Sequence, residues 1–597
     1  MINNLIVSKT NHLQNISNYD EQFILIGHWL LEDFKNEDLN KFKFKICNPV
    51  SYLGEKRKNN YIFCEQLFDS IFNDFYQVMN DIHCVNLSKR AWRIISESWL
   101  KRLIYICFNR KETIEAAIEE FPISNIYLKS NKNFKFFTKD CEGQYECSVN
   151  DIWNSNIYSK LINFFNYDLS LKVEKNNEEF INLATYSDRI IRTKKNIKVK
   201  IALSSLKFNR IFTNNKDGII FNSYLPFIAE KFIEFNLKQA PQFWQESFID
   251  FKKFNTDNRD KISFFKNNNK NLENFIRDIL PICLPISFME SFHDIFSNSG
   301  HSGFPLDPKF IFISNGFDHD ERLKFFIAKL VDKGTKYFVG QHGASYFTEH
   351  DANFRAEVNT SDKFLSWGYH ENKNKNIVPM FNFKTFKRSI GNDNRGNFLI
   401  ICRSLGYRAA PWDRYFEGLM GIKKASQLLS VLPRHIQETT LVRLHKSFKL
   451  DRAKYFVDKY FDLYSQNLEF GEINYRSLIK KSRLVCFNYD STGFLENLHY
   501  NVPSVCIWDN TFNHINDSFK KKYEILVDAR ILFDNEKELT EHLIEIWDDV
   551  ESWWNAKATQ SNLSEFNKNF NIKGQFKDLK KITELLKNYD SKTINKL

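Results

Sequence analysis

The chain has 597 residues, of which 43% are hydrophobic and 26% charged, with a formal net charge of +11. That is globular composition on a chain too long for one hydrophobic core, so two or three domains are expected. The lysines are scattered among Asp and Glu without any reader motif, which argues against a nucleic-acid partner despite the basic balance.

Ten cysteines with no Cys-x-x-Cys pair read as buried, reduced thiols, and no zinc site is indicated. Residues 1–18 lack the long apolar core of a signal peptide. No run reaches the roughly 18 uncharged apolar residues of a spanning helix; the nearest, Trp99 to Phe108, is broken by Lys101 and Arg102. A cytoplasmic location is expected.

In chain order, Phe23 to Gly27 predicts a short buried strand. Long helical patterns follow at Tyr61 to Asn80 and Lys89 to Cys107, and an amphipathic stretch covers Phe221 to Phe251. The Asn/Lys run at 267–271 reads as a surface loop. From Lys309 the pattern alternates: strands at Lys309 to Ser314, Lys336 to Val339 and Phe364 to Trp367, with a helix at Asp320 to Lys333. A polar joint at Arg388 to Arg395 precedes a second alternating block. Its strands are Asn397 to Cys402, Thr440 to Leu444, Leu484 to Phe487 and Ser504 to Trp508, with helices at Phe416 to Leu432, Ile473 to Lys481 and Gly493 to Tyr500. Buried strands alternating with helices imply βαβ units on parallel sheets. Ligands of such sheets bind at the carboxyl ends of strands, so motifs just after strands are the candidates.

Three motifs meet that criterion. Gly340-Gln341-His342-Gly343 follows a strand, and a His between glycines can project from a tight turn and move protons near neutral pH; the alternative is a His that only satisfies loop carbonyls. Asp490 to Glu496 follows another strand. Ser491 and Thr492 at a helix start leave N–H groups for a phosphate, and Glu496 is placed for ribose hydroxyls; an ordinary capping box fits the same letters. Arg443 and Lys446 flank a third strand end and suit a nucleotide phosphate, with Arg403 a similar candidate; a solvated charge pair is the alternative. Trp92 and Trp99 read as helix packing. Asp318-His319-Asp320 has a metal-nucleotide spacing, but it precedes a helix and reads as a cap, so no metal cofactor is expected.

Taken in order, these segments resemble a bacterial family of surface-carbohydrate transferases found in O-antigen and related polysaccharide loci. The resemblance runs from Gly27 to Phe566. It rests on Gly27 and Trp29, on Asn86 to Trp99 with Trp92-Arg93, on Gly340-Gln341-His342-Gly343 and on Trp367-Gly368. It continues with Pro411-Trp412, Val442-Arg443-Leu444, Ser491-Thr492 with Phe494-Leu495-Glu496, Trp508-Asp509 and Trp553-Trp554. The chain departs from the family pattern at Ala344 and Ser345, where glycines are usual, and at His28, where an acidic residue is usual.

The resemblance implies an α/β protein of two Rossmann-like domains, GT-B-like, with a large helical elaboration in the N-terminal part. Residues 1–390 would form the acceptor-side domain, 391–560 the nucleotide-sugar domain and 561–597 a helical tail. The implied activity is sugar transfer from a nucleotide-activated donor to a surface-glycan or lipid-linked glycan acceptor. His342 would be catalytic, and Gly340, Gln341, Gly343, Arg403, Arg443, Lys446, Ser491, Thr492 and Glu496 would hold the donor. The last helix, Phe576 to Leu586, either packs on the core or gives a peripheral contact with the inner face of the cell membrane. A nucleotide-sugar 2-epimerase or a polyol-phosphate transferase of the same fold, and a non-catalytic carbohydrate- or nucleic-acid-binding protein, are the alternative readings.

Overall fold

The structure, a computed structural model, describes residues 2–9, 21–32, 44–51, 54–167, 169–175, 213–242, 256, 259–267, 269–300, 304–350, 355–370, 375–449, 451–508 and 514–588. The amphipathic stretch beyond 242 and Asp509 lie outside these residues.

Three parallel sheets organise the chain. The first contains β1 (Ile2–Ile6), β2 (Glu21–Leu25), β3 (Phe44–Ile46), β4 (Ile123–Ser130) and β5 (Ser170–Lys175), in the order β3-β2-β1-β4-β5. The second contains β6 (Ile219–Ile220), β7 (Phe310–Ile313), β8 (Lys336–Gly340), β9 (Lys363–Ser366) and β10 (Ile377–Pro379), in simple sequential order. The third contains β11 (Asn397–Ile401), β12 (Thr440–Arg443), β13 (Leu468–Glu469), β14 (Ser482–Phe487), β15 (Ser504–Ile507) and β16 (Leu532–Phe533), in the order β13-β12-β11-β14-β15-β16. The α/β class with parallel sheets therefore holds. Residues 1–390 carry two of the sheets, and the strand expected at 23–27 is one of five in the first.

Two long helices, α1 (Gly54–His83) and α2 (Lys89–Glu120), account for much of the expected helical elaboration. α2 packs against α1, against α3 (Asp151–Phe165) over the first sheet and against α5 (Glu321–Asp332) over the second, so it is the wall the two sheets share. Trp92 and Trp99 are buried on it, and the Trp92 indole N–H donates to Asn80 at 2.8 Å. Lys101 and Arg102, which interrupt its apolar run, are buried as ion pairs. Lys101 reaches Glu65 at 2.6 Å and Glu97 at 2.9 Å, and Arg102 reaches Asp318 at 2.8 Å.

The pleat explains how the second sheet is covered. Ile311 and Ile313 face α2 and α5, whereas Phe310 and Phe312 face the opposite side. There they meet Ala229 and Ile233 of α4 (Phe227–Asn236) and Leu579, Ile582, Leu585 and Leu586 of α9 (Phe576–Lys587). The tail arrives from the third-sheet side. α8 (Lys557–Phe570) packs there, and Ile572 then bonds Trp367 O at 2.9 Å and the Asn382 N–H at 3.0 Å. The apolar stripe of the last helix is therefore spent on the second sheet. No helix among the described residues is long and apolar enough to cross a membrane. Nine cysteines are buried and Cys84 is exposed, all as free thiols.

Candidate functional site

In the third sheet the chain runs outward from β11 through β12 to β13, then restarts at β14 and runs the other way. The reversal lies between β11 and β14, whose last residues, Ile401 and Phe487, are paired in register. Parallel sheets bind ligands outside the carboxyl ends at such a reversal. Arg403 follows one of these strands, and Asn488 to Thr492 follow the other. They are tied together: the Arg403 N–H donates to Asn488 Oδ1 at 2.9 Å.

The turn after β8 of the second sheet meets this edge. The Ala344 N–H donates to Thr492 Oγ1 at 2.9 Å. Gly343 allows the approach, since a Cβ there would lie 3.2 Å from the same hydroxyl. Thr492 opens α7 (Thr492–Tyr500), and Ser491 caps it by accepting from the Phe494 N–H at 3.1 Å. Ser491 therefore caps the helix, as both readings of this segment allow, and the N–H groups of Thr492 and Gly493 remain at the helix start.

His342 sits in that turn. Its Nδ1 lies 2.8 Å from Tyr346 Oη, and the Tyr346 hydroxyl donates to Glu357. A phenol has one proton. With that proton given to the carboxylate, the oxygen accepts from His342 Nδ1–H, which leaves the Nε2 lone pair open. No partner for Nε2 is found among the described residues. Burial, reinforced by Arg355 and Lys384, pushes the His342 imidazole down to about 3, so it is neutral. Burial also raises the Glu357 carboxyl, against the pull of Arg355, whose guanidinium lies 4.2 Å from the Tyr346 ring centre. The turn is tight: Ser345 and Phe347, on either side of Tyr346, both have φ of 66°. Ser345 is thus a left-handed serine, a conformation uncommon for residues other than glycine. On its open side the imidazole faces Tyr224, whose ring is near-parallel at 6.2 Å.

The remaining predicted residues fall into place around this core. Gly340 is packed under the turn, where a Cβ would collide with Ser314 and Phe383. Gln341 braces the loop: its amide donates to Gly343 O at 2.8 Å and accepts the Trp367 N–H at 2.8 Å. Glu496 forms an ion pair at 2.8 Å with Lys384, which reaches across from the second-sheet side. Arg443 pairs with Glu469 at 3.1 Å and donates to Ile473 O at 2.7 Å, while Lys446 is exposed. Arg403 pairs at 3.0 Å with Glu417 of α6 (Arg414–Val431), and Arg57 of α1 reaches the same carboxylate at 2.9 Å. Burial alone would raise Glu417, but Arg403, Arg57 and Arg414 hold it well below the usual carboxylate range. Asp490, above β14, is pushed up to about 6 by burial, with Tyr523 bonded at 3.0 Å.

Asp318 and Asp320 are committed locally. Asp320 caps α5 by accepting the Leu323 N–H at 3.0 Å. Asp318 accepts from Arg102 and from Tyr145 at 2.7 Å; burial would raise it, but Arg102 and Lys324 hold it well below the usual range. No group of three potential metal-ligating side chains occurs among the described residues. His28 packs its ring on Phe416 at 4.7 Å, and burial brings it down to about 4.

A protein-family description, LIC12162 family transferase, matches residues 6–583. No curated protein matches the sequence. Among solved structures the chain is similar to the O-GlcNAc transferase of Thermobaculum terrenum, with 10% identity, 63% of this chain and 68% of that one covered, and a TM-score of 0.30. It is also similar to the UDP-forming α,α-trehalose-phosphate synthase of Burkholderia vietnamiensis, with 10% identity, 47% and 73% covered, and a TM-score of 0.29. A third is the sucrose-phosphate synthase of Thermosynechococcus elongatus, with 11% identity, 50% and 76% covered, and a TM-score of 0.30.

Proposed function

The chain belongs to the LIC12162 family of transferases, and on that basis we propose that the cleft between its second and third sheets moves a sugar from a nucleotide-activated donor to a glycan hydroxyl. The supporting observation is the Ala344–Thr492 hydrogen bond. It holds a neutral imidazole with an open Nε2 on one wall and an open helix start on the other.

In this reading the third-sheet unit, residues 391–560, carries the nucleotide, and residues 1–390 carry the acceptor, lipid-linked or free. The N–H groups of Thr492 and Gly493 hold a donor phosphate, and Arg403, Arg443 and Lys446 supply positive charge along the strand ends. Glu496, positioned by Lys384, accepts ribose hydroxyls. The acceptor hydroxyl gives its proton to His342 Nε2 as its oxygen attacks the anomeric carbon. The bond from that carbon to the phosphate oxygen breaks, and its electrons leave with the nucleotide. Tyr346 and Glu357 are positioning residues that hold His342 in the tautomer able to take the proton. The negative donor phosphate beside His342 favours its charged form and lifts its basicity toward the working range. The cations and the helix start stabilise the leaving phosphate, so no divalent ion is needed in this scheme.

The test is nucleotide release from a panel of nucleotide sugars, with and without glycan acceptors. His342→Ala should lower turnover by about 100-fold or more, in the range of general acid–base groups, with an unchanged melting curve. Retained turnover removes His342 from the chemistry.

A further inference from the structure

The helix α4 is apolar on two sides. Ala229 and Ile233 point into the second-sheet core, yet Phe227, Ile228 and Phe235 are 60%, 76% and 80% exposed. A surface helix that packs well needs one apolar stripe, so a second one calls for a second apolar environment. The neighbouring α9 adds Phe576, half-exposed, whose ring lies 6.0 Å from Phe232 of α4.

Phe576 also lines a cavity of about 440 Å³ beside these helices. Lys387, Arg388, Lys573 and Lys577 line it as well, and no carboxylate is among the lining residues. The Lys387 ammonium lies 5.3 Å from the Phe576 ring centre, so the basic and apolar parts are continuous. All four cations are exposed, and no ion pair to any of them is found among the described residues. The acids of the two helices are otherwise engaged or few: Glu234 is buried against Lys231, Glu230 bonds Ser223, Asp578 pairs with Lys581, and Glu584 is exposed.

We infer that this face docks on an anionic lipid bilayer. The exposed aromatic and aliphatic side chains enter the interfacial layer, and the basic cavity receives a phospholipid phosphate. Charge complementarity selects this occupant over a purely apolar partner. The surface is not the buried stripe of α9, which is already covered by the second sheet. It lies close to His342: α4 begins three residues after Tyr224, whose ring faces His342. Docking would hold the His342 turn near the bilayer surface. The inference does not rest on the proposed chemistry, since binding is read without turnover.

The full chain is sedimented with vesicles of phosphatidylcholine alone or mixed with phosphatidylglycerol. It should pellet with the mixed vesicles and stay largely soluble with the neutral ones. Ile228→Ser with Phe235→Ser, and separately Lys387→Glu with Lys573→Glu and Lys577→Glu, should each weaken partitioning about 100-fold or more, taking about fivefold per basic residue and about tenfold per buried apolar side chain. Melting curves of both variants should match the wild type. A wild-type chain that stays soluble with anionic vesicles overturns the inference, as does equal binding to both compositions. Loss in the charge variant alone, with the apolar variant unchanged, reduces the face to a nonspecific basic patch and overturns it too. So does an apolar variant whose effect is to dissolve a dimer.

Discussion

Replacing Tyr346 with Phe removes one oxygen and keeps the ring that packs against Phe364 at 5.2 Å. The lost hydroxyl is the acceptor for His342 Nδ1–H and the donor to Glu357. A hydrogen bond to a charged group is worth about 1.5–3 kcal/mol, and this bond transmits the Glu357 charge to the imidazole. Losing it removes a tautomer preference of roughly 10- to 150-fold, at 1.4 kcal/mol per factor of ten. Turnover should therefore fall by about that factor while KM for the donor stays near wild type, because the donor-holding groups lie on the third sheet. Glu357→Gln should also lower turnover, since an amide can donate back to the phenol and reverse the chain of protons. The assay is nucleotide release across pH 5–9 for wild type and both variants. A Tyr346→Phe enzyme with wild-type turnover and an unchanged pH profile would refute the positioning role and leave His342 acting alone.

Other consequences follow from the same geometry. A chain ending at residue 574 loses Leu579, Ile582, Leu585 and Leu586, all buried on the second sheet. At about 1.5–3 kcal/mol each, that is roughly 6–12 kcal/mol, and the truncated chain should be insoluble; a soluble chain with normal melting would contradict the packing. Burial lowers His83, His499 and His542 to about 4, below the ordinary 6.5. Because the unfolded chain protonates first, their contribution is complete above about pH 6.5 and is lost as pH falls toward 4. The loss is up to about 1.4 kcal/mol per group per pH unit, and a melting series over that window should show the decline, which a flat profile would exclude. Transfer should survive excess EDTA, since Asp318 is held by Arg102 and Asp320 caps α5; activity abolished by chelation and restored by Mg²⁺ or Mn²⁺ would overturn the metal-free scheme.

What the sequence reveals depends on how each element is buried. β7, β11 and β14 are short apolar runs covered on both faces, and their positions are legible to within two residues. β1, β4 and β5 are not, because polar residues interrupt them. Asn4 sits fully buried in β1, satisfied by Asn125 of the adjacent strand at 2.9 Å. That pairing depends on register, which no local pattern announces. In the site, glycines mark the His342 turn and the Ser-Thr cap marks the start of α7. Tyr346 and Glu357 are not marked. Their approach to His342 depends on left-handed backbone at Ser345 and Phe347, and neither residue type signals that conformation. Lys384 was equally hidden, because its partner Glu496 comes from another sheet. The letters of Ser491 and Glu496 fit both capping and ligand binding, and the geometry shows Ser491 accepting the Phe494 N–H as the cap and Glu496 paired with Lys384 rather than closing a capping box.

The decisive measurement is the melting of the full chain with CMP, CDP, UDP and GDP, repeated on Arg403→Ala. One nucleotide should stabilise the wild type, by about 2.7 kcal/mol at a hundred times its Kd, and the shift should shrink in the variant. If none of the four moves the melting curve at millimolar concentration, or if Arg403→Ala binds as the wild type does, the third-sheet edge is not a nucleotide site and the proposed transfer loses its donor.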